Sequence, residues 1–381
     1  MNISFDAVPI INGKMTGVGW CEVGQTMAMA RLHPEDNFYY SFFSRKDDHI
    51  KLEKLAPFSE NIGANIAHFS GLLYRTASVV LPIPHKWFFK QKSDITHFFN
   101  YIAPPGVDGK TVITVHDMVY RTYPETVRGR TKKILDMGLA SSMKRADMIV
   151  TVSEFSKSEI IRYFPQHESK IRVVPCGVDL DRFKPCQQPE RIPEVKKKLG
   201  IEGEYFLYVG TIEPRKNLER LINAYNIFCQ HEKDAPKLVL AGGKGWLYDG
   251  IFQRVTDLKL EDKVLFTQYI PDEDMNPLMC GALAFVFPSI YEGFGIPPLE
   301  AMACGVPVLA SNAASLPEVT GDCAVTCDPY SEEEIAEGLR RLYSDSELRA
   351  DLSRRGLERA KTLTWDSSAE KLYSVYKELM K

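Results

Sequence analysis

The stretch from Ala282 to Ala310 constrains the fold of this chain more than any other. Ala282 to Phe287 is an unbroken apolar run that reads as a buried strand. Pro297 and Pro298 then mark the start of a helix, because the first helical turn offers no partner for the N–H that proline lacks. Gly305 ends that helix, and Val306 to Ala310 reads as the next strand. The order is strand, glycine-rich loop, short helix, strand, with Glu292 in the loop and Glu300 expected in the first helical turn.

Glycines at 293 and 295 let backbone amides come close to a ligand. A helix N-terminus beside them favours an anion such as a diphosphate. Carboxylates are poor phosphate ligands, so Glu292 and Glu300 are expected to face hydroxyls, where an ionised acceptor strengthens the hydrogen bond. A diphosphate between two polyols is a nucleotide sugar. Taken singly, Glu300 reads equally well as a helix-start carboxylate and the loop as an ordinary turn. Their combination points to a ligand.

Glu292 and Glu300, with seven residues between them and Glu-Gly-Phe-Gly-Ile-Pro-Pro-Leu-Glu-Ala-Met-Ala across them, resemble the E-x7-E signature of retaining glycosyltransferases of family 4. The resemblance covers nearly the whole chain, most strongly over 205–320 and least over 40–95. It implies an α/β protein of the GT-B fold, with two doubly wound Rossmann-like domains facing across a cleft. Residues 1–185 would form the acceptor-binding domain and 186–203 a Pro- and Lys-rich linker with a short helix. Residues 204–363 would form the nucleotide-sugar-binding domain, and 364–381 a terminal helix crossing back to the first.

Composition agrees with two domains. The chain has 381 residues, 44% apolar and 25% charged, enough for two full cores. A formal charge of −3 provides no basic field for nucleic acid. Residues 1–180 carry 22 Lys and Arg against 18 Asp and Glu, and the remainder 25 against 32. The first half could therefore meet an anionic surface. Eight cysteines with no CxxC pair read as reduced thiols of a cytoplasmic protein. The N-terminus lacks the pattern of a secretory signal, and no apolar run has transmembrane length.

In chain order, Ile3 to Val8 reads as the first strand, followed by a loop that reaches Gly17 and Gly19. The next glycine is Gly24, so G-x-G-x-x-G is not met. By the resemblance this loop reaches towards donor phosphates and acceptor, with Trp20 where many members carry Arg; a plain turn is the other reading. Residues 57–93 mix Leu72, Leu73, Val79, Val80, Leu81, Trp87, Phe88 and Phe89 with Arg75, His85, Lys86, Lys90 and Lys92. They read either as core with solvated cations or as a peripheral membrane surface at the inner face of a membrane.

His116 and Asp117 fall at the C-terminal end of a strand, where open α/β sheets place ligands. The resemblance makes His116 a contact for the donor sugar or the acceptor, with Asp117 orienting it. Ser153 reads first as a helix cap and, by the resemblance, also as a substrate contact. After the strand ending at Gly210, Arg215 and Lys216 stand at the entrance of a helix, where cations oppose its dipole. A diphosphate would explain them, and the resemblance gives them that role. Gln268 stands where many members have Gly. Asp272-Glu273-Asp274 contains an Asp-x-Asp, read as a helix cap rather than a metal site.

These readings converge on transfer of a hexose, with a lean to mannose, from a GDP- or UDP-sugar to a glycan or lipid-linked acceptor. The roles implied are His116, Arg215, Lys216 and Glu292 in catalysis. Gly17, Gly19, Asp117, Ser153, Gly210, Phe294, Gly295, Ile296, Leu299 and Glu300 would bind substrate, with no metal and no other cofactor. A nucleotide-sugar epimerase and a non-catalytic nucleotide-sugar scaffold share this architecture and stay open.

Overall fold

A computed structural model describes residues 1–11, 15–44, 52–54, 56–71, 73–74, 81 and 83–381. Leu72, Arg75, Val79 and Val80, and residues 12–14 of the loop before Gly17, lie outside the described residues. The chain forms two compact units, Met1–Gly177 with Trp365–Lys381, and Val178–Thr364.

The first unit is built on a parallel sheet of β1 (Asn2–Asp6), β2 (Asn37–Phe43), β3 (Ile62–Ala67), β4 (Ile95–Phe98), β5 (Lys110–Thr114), β6 (Met148–Thr151) and β7 (Ile171–Val173). Their order is β3-β2-β1-β4-β5-β6-β7. β1 ends at Asp6, not Val8, because Val8–Ile11 turns into a short helix. Ile3, Phe5, Phe38, Tyr40 and Phe42 are fully buried, as expected for a sheet covered on both faces. The Gly17–Leu32 helix is buried on several sides, with Cys21, Val23, Ala28 and Met29 enclosed. The Trp365–Leu379 helix packs beside it, and its Leu372 and Tyr376 join the same core.

Several polar groups in that core are paired. His97 lies between Tyr376 Oη (2.6 Å from Nδ1) and Thr114 Oγ1 (2.8 Å from Nε2). Burial pushes it down to about 3, so it stays neutral. Glu22 is different, with neither carboxyl oxygen hydrogen-bonded to a described residue. Burial, with Asp6 adding to it, drives its pKa well above the carboxylate range. Its surroundings favour the neutral form.

The second unit has β8 (Tyr205–Val209), β9 (Lys237–Ala241), β10 (Val264–Gln268), β11 (Ala284–Phe287), β12 (Val308–Ser311) and β13 (Ala324–Cys327). They are all parallel, in the order β10-β9-β8-β11-β12-β13. Counted from β8, this is the 3-2-1-4-5-6 order of dinucleotide-binding sheets. The order reverses between β8 and β11, so the two loops leaving their C-terminal ends diverge and leave a crevice there.

Residues 178–203, which the sequence divides between the first domain and a linker, belong to the second unit. Phe183, Val195 and Ile201 are buried, and Arg191–Leu199 is a helix. The Asp-x-Asp anchors this segment. Asp272 pairs with Arg182 at 2.8 Å, and Asp274 with Arg191 at 3.0 Å and with Lys198. Both carboxylates lie in the first turn of the Asp272–Cys280 helix, where they suit its dipole. Neither caps it, since Pro271 is the N-cap.

Candidate active site

The loop leaving β8 begins at Gly210 and runs through a short turn, Pro214–Lys216, to Asn217. Asn217 adopts the left-handed conformation (φ 63°), which Asn tolerates better than most side chains. Its amide donates to the Pro288 and Pro329 carbonyls at 3.0 and 2.6 Å. Across the sheet, the loop leaving β11 carries Pro288 to Phe294 and enters the Ile296–Ala303 helix through Gly295. At Gly295 φ is +121°, and a Cβ would fall 2.6 Å from Leu316 Cδ2. Only glycine fits there. The Ser315 hydroxyl, within 2.9 and 2.7 Å of the Glu292 and Phe294 carbonyls, pins this loop. Ile290 N–H donates to the Arg215 carbonyl at 2.9 Å, joining the two loops directly.

Four charged side chains meet at this junction. Arg215 Nε lies 2.6 Å from Glu213 Oε1, and its Nη1 lies 2.8 Å from Glu292 Oε2. Lys216 Nζ lies 2.5 Å from the other oxygen, Glu292 Oε1, and 5.0 Å from the centre of the Phe287 ring. Arg215 Nη1 also donates to the Tyr291 carbonyl at 3.1 Å. Glu213, Lys216 and Glu292 are all buried. Burial would raise the Glu292 carboxyl, but Arg215 and Lys216 outweigh it and hold it down at about 2. Burial and then Arg215 lower the Lys216 ammonium, against Glu292 and Glu213. Glu292 therefore faces cations, where the sequence placed it against hydroxyls. The sequence reading gave Glu213 no role; its spacing two residues before Arg215 was the available signal.

Gly210, Phe294, Gly295, Ile296, Leu299 and Glu300 line the same two loops and the helix that follows. Leu299 is fully buried and packs inward. Glu300 lies in the second turn of its helix, not the first. Its carboxyl is half-buried, and burial pushes it up to about 7, with Arg182 pulling it down and Asp272 and Asp179 raising it.

A carboxyl that titrates near neutrality has two opposite consequences. Its folded pKa lies above its ordinary value of 4.5, so the stability of the fold falls as pH rises from there through about 7. An ionised hydrogen-bond acceptor forms over the same rise. If Glu300 accepts from the hydroxyls of a nucleotide sugar, whose diphosphate has no proton to lose in this range, affinity for that ligand should rise between about pH 6 and pH 8. Titration calorimetry on wild type and Glu300→Gln checks this; an equal rise in both would separate Glu300 from ligand binding.

In the first unit, His116 follows β5 and is buried. Its Nε2 is 2.7 Å from the Phe99 carbonyl, which can only accept, so Nε2 carries the proton and Nδ1 the lone pair. Burial lowers its pKa, with Phe99 and Asp117 opposing. Asp117 accepts from Tyr101 Oη and Val119 N–H, both at 3.1 Å. Ser153 caps the Glu154–Tyr163 helix, accepting from Ser156 N–H at 3.0 Å. Ser156 Oγ in turn donates to the His116 carbonyl at 2.9 Å, so these residues form one connected group. Gly17 opens the Gly17–Leu32 helix at an exposed position and Gly19 is enclosed against Pro9 and Met15.

Two doubly wound sheets, the second with a cation–carboxylate cluster at its switch point, define the class of GT-B glycosyltransferases. Residues 191–359 match the family of glycosyl transferases group 1, and residues 34–182 match glycosyltransferase family 4. The chain is 36% identical over 310 residues to O-antigen chain mannosyltransferase B of Escherichia coli, covering 81% of each. It is 30% identical over 285 residues to the serotype-specific mannosyltransferase WbdA of Escherichia coli, covering 74% of this chain but only 35% of that one. The fold of Anabaena HepE, solved in complex with UDP-glucose, superposes with a TM-score of 0.75 at 18% identity, covering 99% of both chains. This chain belongs to the family 4 glycosyltransferases and has the GT-B fold.

Proposed function

We propose that this glycosyltransferase is a retaining enzyme that moves a hexose, mannose first among the candidates, from a nucleoside diphosphate sugar to a hydroxyl of a glycan or lipid-linked acceptor. The observation that carries this reading is the placement of Arg215 and Lys216 at the β8/β11 switch point, beside the glycine-bounded entrance of the Ile296–Ala303 helix. Mannose is preferred because the two sequence relatives are named mannosyltransferases. HepE was solved with UDP-glucose, so UDP-hexoses are the second donor class.

Arg215 and Lys216 bind the diphosphate and neutralise it as it leaves, a role a metal ion would otherwise fill. Glu300 accepts from the ribose hydroxyls. Glu292 and the amides of Phe294 to Ile296 hold the hexose. His116 and Asp117 serve the sugar and acceptor side, with Gly17, Gly19 and Ser153 shaping it. No side chain is assigned as a covalent nucleophile. The bond from sugar carbon to phosphate oxygen breaks and the bond to acceptor oxygen forms on the same face. The acceptor's proton ends on the leaving phosphate.

A peripheral contact of the first unit with the cytoplasmic face of a membrane fits a lipid-linked acceptor. Exposed Leu73, Leu81 and Trp87, in the same stretch of chain as exposed Lys86, Lys90 and Lys92, support it. Among the described residues no helix is long and apolar enough to cross a membrane.

Thermal unfolding with GDP, UDP, ADP and their sugar conjugates tests the donor class, because a ligand that binds the folded state raises apparent stability. GDP-mannose is expected to give the largest shift, followed by transfer with the α-anomeric configuration kept. Binding without turnover on any acceptor would indicate a scaffold. Conversion to an epimeric sugar without acceptor would indicate an epimerase.

A further inference from the structure

The two cations proposed to hold the diphosphate are already neutralised by two carboxylates. Arg215 lies between Glu213 and Glu292, and Lys216 lies on Glu292. Glu292 uses one oxygen on each cation, which is how a bridging phosphate group would engage them. An incoming diphosphate would therefore meet a buried cluster with no net positive charge.

The two carboxylates are not equally free to yield. The Glu213 side chain is 3% exposed and paired with Arg215 through Nε, whereas Glu292 is 10% exposed and sits in a loop beside Gly293. The Glu292 main chain is pinned by the Ser315 hydroxyl, so its side chain can turn away while the loop stays in place.

We propose that Glu292 holds the place of the diphosphate in the ligand-free protein and is turned out by it, so that the site favours a nucleotide sugar over the free nucleoside diphosphate. This rests on Arg215 and Lys216 being diphosphate ligands. Turned out by a donor, the carboxylate gains charge-assisted hydrogen bonds from hexose hydroxyls in place of the cations it gave up. Turned out by a free nucleoside diphosphate, it finds no hydroxyls and faces the extra negative charge of the terminal phosphate. Glu292 thus couples sugar recognition to phosphate binding and weakens the hold on the product left after transfer.

Titration calorimetry with GDP, UDP, GDP-mannose and UDP-glucose tests this. Wild-type protein is expected to bind the preferred nucleotide sugar at least about tenfold more tightly than its nucleoside diphosphate. Glu292→Gln should bind the nucleoside diphosphate about tenfold more tightly than wild type while losing transfer, reversing the preference. Equal affinity of wild type for the two ligands would overturn the exchange even if the variant did not fold. A folded Glu292→Gln that binds the diphosphate no more tightly than wild type would overturn it as well. Absence of binding by every nucleotide would instead remove the diphosphate site, and the exchange with it.

Discussion

Arg215→Ala and Lys216→Ala are each expected to slow hexose transfer by about 10²–10³-fold, the usual cost of losing one transition-state donor. The geometry accounts for the size of the effect. Lys216 is enclosed between the two loops, so no solvent cation or neighbouring lysine can substitute for it. Arg215 is held at two of its nitrogens, by Glu213 and by Glu292 with the Tyr291 carbonyl, so its guanidinium has little freedom to reorient. Arg215→Lys should therefore recover little activity, since an ammonium cannot make the forked set of bonds. Each single alanine still leaves Glu292 one cation, which limits the loss of stability. Steady-state rates at saturating donor decide the matter, and wild-type turnover in both alanine variants would sink the assignment.

Gly242→Ala should be the most destabilising small substitution in the second unit. A Cβ there would lie 1.9 Å from the Gly210 carbonyl oxygen and 2.7 Å from its carbon, and φ is +153°. Main chain cannot swing aside as a side-chain tip can. Overpacking costs about 1–3 kcal/mol, and a strained backbone conformation adds about 1–3 kcal/mol. Together they should lower the unfolding midpoint by on the order of 10 °C for a unit of this size. Because Gly210 starts the loop that carries Arg215 and Lys216, nucleotide affinity should fall with stability. A midpoint and a nucleotide affinity both unchanged would contradict the close approach.

How much of this was legible beforehand follows the range of each interaction. Strands such as Ala284–Phe287 and Tyr205–Val209 are runs of apolar residues, and their burial on both faces is written in those runs. The prolines and Gly295 around the Ile296–Ala303 helix are equally local signals. β3 and β13 were not anticipated. β3 contains a glycine and an asparagine, and β13 is four residues long, so neither carries a clear pattern. The short helix expected within 186–203 is there, at Arg191–Leu199, but its place in the second unit was not legible because its cations look solvated until Asp274 is seen to accept two of them.

From its sequence alone this protein was determined to be an α/β chain with two cores, with Arg215, Lys216, Glu292 and Glu300 as its candidate site, because strand runs, helix entries and the spacing of those residues are local. Only the tertiary structure decided which charges touch. Lys216 and Glu292 are separated by 76 positions, and they meet because the order of strands puts β8 next to β11. Burial then decides the outcome: buried charges need partners, so Glu292 rests on the cations rather than facing outward, and Glu213, unremarkable as a letter in the chain, becomes the group that holds Arg215.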